Sequence, residues 1–145
     1  MYDIEKLTIM IKDIEKYFAE LENFGLNEKN VGDTKTVYAS SMAIFGIICR
    51  AIDLSEEVLV KNSLGVPRNY EEGFVKLGEK GLIDKKMSEE LRKLAKERNF
   101  FAHQYFEVER KKVLKLSKEI YVVKEFVGRI KKIVEKQNKL EKRRE

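Results

Sequence analysis

An all-α fold is predicted by three features of this 145-residue chain. Apolar residues recur at alternating three- and four-residue spacings. Helix breakers are scarce, with one proline and eight glycines, and 38% of the residues are charged. Together these predict a single-domain bundle of about five antiparallel helices over residues 1–134, followed by a charged, fraying C-terminal tail over 135–145.

The first helix rests on Ile4, Leu7, Ile11, Ile14, Phe18 and Leu21, spaced 3, 4, 3, 4, 3, and ends near Phe24-Gly25, where a glycine suits a helix C-terminus. Asn27 to Gly32 reads as a loop. Asp33 or Thr34 is a fitting N-cap for a second helix reaching about Lys61. Its first half, from Val37 through Met42, Phe45 and Cys49, is apolar nearly all round, so it is expected to be the buried centre of the bundle. Asn62 to Asn69 holds the single proline, Pro67, and reads as a loop. Tyr70 to Leu77 is a short third helix punctuated by Gly78 and Gly81, and a fourth runs from Asp84 or Lys85 into Arg98. The last helix has the most regular seam: Val113, Leu116, Ile120, Val123, Val127, Ile130 and Val134.

The lone Cys49 permits no internal disulfide, which suits a reducing cytoplasm. Asp3, Glu5 and Lys6 interrupt any signal-like start. The longest apolar run, Met42 to Cys49, is too short to span a bilayer. A cytoplasmic protein without a membrane segment is therefore expected. The net charge of +5 is unevenly spread. Residues 1–33 carry four basic and eight acidic side chains, whereas residues 85–145 carry twenty and ten. Such a basic half would attract a polyanion. A solvated lysine-rich surface explains the same excess.

The basic half begins near Arg98-Asn99-Phe100-Phe101-Ala102-His103-Gln104-Tyr105, which contains the only histidine. Histidine is the side chain whose ordinary pKa allows proton transfer near neutrality, and arginine is a permanent cation suited to phosphate. On a continuous helix Arg98 and Tyr105 share a face, while His103 stands about 140° from Arg98. One chain then does not bring arginine and histidine together. Either the helix breaks near Asn99, a poor helix former, or a second chain completes the site. RNA can be cut without a metal when its 2′-hydroxyl attacks the adjacent phosphate, given a base, an acid and positive charge on the phosphorane. A twofold dimer would supply two histidines and two arginines to one cleft. No His pair, Cys cluster or carboxylate set at ligand spacing surrounds the segment, and no cofactor is called for. A lone histidine beside two phenylalanines is also an ordinary packing residue, so residue types alone leave both roles open.

The segment Arg98-Asn99 through His103-Gln104-Tyr105-Phe106-Glu107-Val108 resembles the R-N-x-x-x-H-x-Y-x-x-[VI] block of the HepT-like HEPN ribonuclease toxins. Upstream, Pro67 to Phe74 and Leu77 to Ile83 resemble that family's P-x-x-Y-x-E-x-F and L-x-x-x-G-[IL]-[IL] blocks, so the likeness spans roughly residues 36 to 130. The resemblance implies a homodimeric HEPN-like bundle with the motif in a cleft between subunits. It implies a metal-independent endoribonuclease acting as the toxin of a type VII-like toxin–antitoxin pair. His103 would transfer protons, Arg98 would stabilise the phosphate and Asn99 would orient the site. Tyr105 would be the residue that a cognate minimal nucleotidyltransferase modifies with AMP, or else an ordinary half-buried ring. Lys111, Lys112, Lys115 and Lys118 could steer an RNA backbone or simply line a solvated face. Asp53 falls near a position where such domains carry a polar residue, and an exposed acid explains it as well. The alternative function is a non-catalytic helical subunit that binds a nucleotidyltransferase partner or a nucleic acid.

Overall fold

The computed structural model describes residues 2–103 and 109–144, and every regular element in them is helical. In chain order these are α1 (Ile4–Phe24), α2 (Thr34–Lys61), α3 (Glu72–Glu79), α4 (Lys85–His103), α5 (Arg110–Glu119) and α6 (Val122–Arg144). The expected all-α bundle is found, with the expected last helix divided into α5 and α6.

Local chemistry sets the ends of the long helices. The Asp3 carboxylate accepts from the Lys6 backbone N–H at 3.1 Å to start α1. Gly25, at φ 61°, closes it by donating to the Leu21 carbonyl. Asp33 caps α2 by accepting from the Thr36 N–H at 3.0 Å. Leu7, Met10, Ile14, Phe18 and Leu21 are the buried stripe of α1, so the seam begins at Leu7, and Ile4 lies outside the bundle.

Helix α2 is the centre. It touches all five other helices, and Val37, Ile44, Leu54, Val58 and Leu59 are completely buried. By length and composition it would pass for a membrane-spanning helix, but its apolar faces are largely taken up by its neighbours. It runs antiparallel to α1, tied by Arg50 to Asp13 at 2.6 Å, by Lys6 to the buried Glu57 at 2.8 Å, and by Asn62 to the Tyr2 hydroxyl at 2.6 Å.

Helices α3 and α4 approach closely. Ser88 donates to the Phe74 carbonyl at 2.8 Å, and a Cβ placed on Gly78 would lie 2.6 Å from the Ser88 Cβ. The connection turns at Gly81 (φ 72°), after which Asp84 caps α4 by accepting from the Met87 N–H at 2.8 Å. Helix α4 then continues without interruption through Arg98 and Asn99 to His103. The break considered near Asn99 does not occur: one residue of low helix propensity costs well under 1 kcal/mol, less than tertiary packing supplies.

The seam of the last helix is buried from Val113 to Ile130 even though the helix breaks at Ile120-Tyr121. Two tight i→i+3 bonds, from Val123 to Ile120 and from Lys124 to Tyr121, cross the break. They keep the apolar residues in phase, so periodicity alone could not reveal it. Beyond Val134, where the regular seam stops, α6 stays helical to Arg144. Tyr121 is partly exposed beside Phe18, while Phe126 is fully buried.

The charge asymmetry of the sequence is partly resolved inside the molecule. Acidic α1 and its following loop face the basic C-terminal half: Lys118 pairs with Glu28 at 2.8 Å, Lys124 with Glu22 at 2.7 Å and Lys131 with Glu15 at 3.2 Å. The last two pairs border a groove lined by Ile14, Phe18, Val127 and Gly128.

Two glycines on exposed or crowded helix surfaces should respond oppositely to one substitution. A Cβ on Gly128 meets nothing within 4 Å, so Gly128→Ala should stabilise the fold by up to about 1 kcal/mol through helix propensity. Gly78→Ala must separate α3 from α4 and should cost about 1–3 kcal/mol. Urea denaturation of both variants checks the pair, and equal effects would contradict this packing.

Candidate functional site

Arg98 sits half-buried on α4, on the side that packs against α2. Its guanidinium carbon lies 4.5 Å from the centre of the Tyr70 ring and 5.9 Å from that of Phe45 on α2. Cys49, one turn along α2 from Phe45, has its thiol pushed up by burial, with the Arg98 cation opposing that push. The arginine, two rings and a thiol thus converge from α4, α2 and the loop before α3.

That loop is fixed by its own side chains. The Asn69 side chain accepts from the N–H groups of Glu71 and Glu72, at 3.1 and 2.9 Å. Glu72 accepts from the Arg68 N–H at 2.9 Å and pairs with Lys76 at 3.1 Å. Gly73 lets α3 press against buried Ser55, since a Cβ there would lie 2.7 Å from its hydroxyl. Phe74 is buried edge-on against Phe126 at 5.5 Å. The block from Pro67 to Phe74 is therefore a bracket that delivers the Tyr70 ring to Arg98.

Asn99 is exposed on α4, and His103 is that helix's last residue. Four residues apart, they share a helical face, whereas Arg98 stands about 140° from His103. Tyr105 lies outside the described residues. Phe101 packs against the core 6.4 Å from Phe45 and anchors the segment, while Phe100, 5.2 Å from Phe101, carries the Lys112 ammonium over its face at 4.2 Å.

Asp53 is engaged by Arg50 at 3.3 Å, the same arginine that holds Asp13. It is a structural partner in the described geometry. Among the four lysines considered for RNA steering, Lys112 pairs with Glu97, Lys115 with Glu119 and Lys118 with Glu28, which lowers the charge they offer a polyanion.

One stripe of α2 departs from the expected all-round burial. Tyr38 is 48% exposed, Met42 is 69% exposed, and Phe45 and Cys49 are half-buried. Their spacing of 4, 3, 4 places them on one line that leads to Arg98. A groove of about 850 Å³ between the first half of α4 and the α5–α6 turn is lined by mixed charges around Met87, Leu94 and Tyr121 and does not include Arg98. Tyr70, Phe45 and Cys49 were not among the site residues expected from the sequence. Tyr70 stood in a motif block, but its meeting with Arg98 depends on the α2–α3 loop folding back, which spacing cannot express.

Comparison with known proteins gives these features a setting. The sequence pattern of the family described as Ribonuclease HepT-like matches residues 8–133. No curated protein matches at a significant level. Among solved structures, a Bacillus subtilis protein, YutE, described as cytosolic and of unknown function, is similar at a TM-score of 0.81 and 19% identity, over 94% of this chain and 95% of that one. A tri-AMPylated Shewanella oneidensis HEPN toxin in complex with MNT antitoxin is similar at a TM-score of 0.79 and 21% identity, over 90% of this chain and 98% of that one. A toxin–antitoxin crystal structure with AMP-PNP is similar at 0.79 and 18% identity, over 86% and 96%. The structural likenesses establish the fold, and the family match, covering most of α1 through the middle of α6, establishes membership: this chain belongs to the HepT-like ribonuclease family.

Proposed function

We propose that this protein is a metal-independent endoribonuclease that acts as a homodimer and serves as the toxin of a type VII-like toxin–antitoxin pair. The observation that carries the reading is Arg98: a cation held beside an uncovered apolar stripe of α2, on a helix that keeps it away from His103 of the same chain. A second copy seated on the Tyr38–Met42–Phe45 stripe would bring two α4 ends together and gather two Arg98 and two His103 residues in one cleft.

In that cleft the 2′-oxygen of the RNA attacks its adjacent phosphate as one histidine takes the hydroxyl proton. The new 2′-O–P bond forms, the P–5′-O bond breaks, and the second histidine returns a proton to the leaving oxygen. Arg98 stabilises the added negative charge of the phosphorane, and Asn99, on the same face as His103, orients it. The products are a 2′,3′-cyclic phosphate and a 5′-hydroxyl, and no cofactor takes part. The antitoxin is a minimal nucleotidyltransferase that places AMP on Tyr105, adding bulk and negative charge where RNA would bind. The AMPylated toxin among the structural neighbours supports this form of control. A cytoplasmic setting suits the free thiol of Cys49.

Cleavage of total RNA in excess EDTA tests the chemistry. Wild type should cut, and His103→Ala, matched for helicity, should cut at least about a hundredfold more slowly. If neither cuts, and mass spectrometry finds Tyr105 unmodified, the protein is instead a non-catalytic binding subunit. The dimer is tested separately: Met42→Glu places a charge in the apolar stripe and should shift sedimentation from dimer towards monomer. An unaltered dimer would place the interface elsewhere.

A further inference from the structure

Six arginines of the described fold are held in three ways. Arg50, Arg68 and Arg92 meet carboxylates, of Asp13 and Asp53, of Glu72, and of Glu89 and Glu71. Arg110 and Arg129 donate to backbone carbonyls, of Val31 and Leu82. Arg98 is held by aromatic rings, with Tyr70 the nearer at 4.5 Å. Among the described residues it makes no ion pair.

The difference matters chemically. A carboxylate partner occupies the guanidinium's N–H donors and neutralises its charge. A ring beneath the guanidinium carbon instead attracts the cation without supplying a counter-charge, so the charge stays uncancelled. Tyr70 can hold such a position because its backbone is fixed by the Asn69 turn and by Glu72, and because Phe74 anchors α3 in the core immediately afterwards. Phe45 limits the guanidinium from the α2 side.

We propose that Tyr70 is the positioning residue for Arg98: its ring face, presented by the Asn69 turn, fixes the guanidinium while leaving its charge uncancelled for an RNA phosphate. The inference deepens the ribonuclease reading and rests on it for the identity of the phosphate. The ring, not the hydroxyl, performs the role.

Wild type, Tyr70→Phe and Tyr70→Leu, matched in melting temperature, separate these parts by two readouts. In side-chain 15N–1H spectra the Arg98 resonance, assigned by its loss in Arg98→Lys, should be shifted upfield by the ring in wild type and Tyr70→Phe. That shift should shrink in Tyr70→Leu. In RNA cleavage, Tyr70→Leu should lower kcat about tenfold with KM changed less than about twofold, and Tyr70→Phe should restore kcat. The proposal is overturned if Tyr70→Leu keeps the resonance position or kcat, or if Tyr70→Phe falls as far as Tyr70→Leu. A wild type that does not cut RNA, with the resonance still responding to Tyr70→Leu, removes the ribonuclease reading and leaves Tyr70 as the residue that positions Arg98.

Discussion

Helix α2 is the surface on which every other element is arranged. Its first half is apolar on almost all sides, and α1, α3, α4, α5 and α6 all pack against the helix. Burial of side chains such as Ile44, Ile47, Leu54 and Leu59 contributes about 1.5–3 kcal/mol each against their exposed state. The positions of α4 and of the loop before α3 follow from that packing. A line left open, through Tyr38 and Met42, ends at Phe45 and Cys49, where Arg98 lies. The feature that builds the core therefore also determines where an uncovered apolar face meets a cation.

A second constraint comes from α4. Because the helix is unbroken, positions 98 and 103 of its backbone stand about 140° apart around the axis. In the proposed dimer, the site chemistry depends on a second copy meeting the apolar stripe of α2. The ion pairs between α1 and the C-terminal half add a further point. Each exposed pair contributes only about 0.2–1 kcal/mol. Together they place acidic residues beside Lys118, Lys124 and Lys131 and reduce the basic field that composition alone suggests.

Much of the fold was legible because it is written in local rules. The Asp33 cap and the Gly25 end of α1 lie where short-range hydrogen bonding puts them. The 3–4 seam from Val113 to Ile130 is buried as its spacing demands. The break at Ile120-Tyr121 was invisible because a tight turn preserves the phase of that seam. Met42 was misplaced for a different reason: periodicity reports that a helix is apolar all round but not which side the rest of the chain fails to reach. At the site, Arg98, Asn99 and His103 could be singled out by residue type and motif. The Arg98–Tyr70 contact joins residues 28 positions apart through a loop, and no local rule encodes it. Tyr105 lies outside the described residues, and only the motif singles it out.

The central claim is that one cleft draws its proton-transfer groups from two chains. It is tested most directly by a dimer that carries one wild-type subunit and one His103→Ala subunit, joined in tandem or isolated by two affinity tags, and assayed for RNA cleavage. A cleft that needs both histidines loses its base or its acid with a single substitution, so the mixed dimer should be nearly as inactive as the doubly substituted one. Half the wild-type rate would mean that each chain carries a self-sufficient site, and would contradict the account.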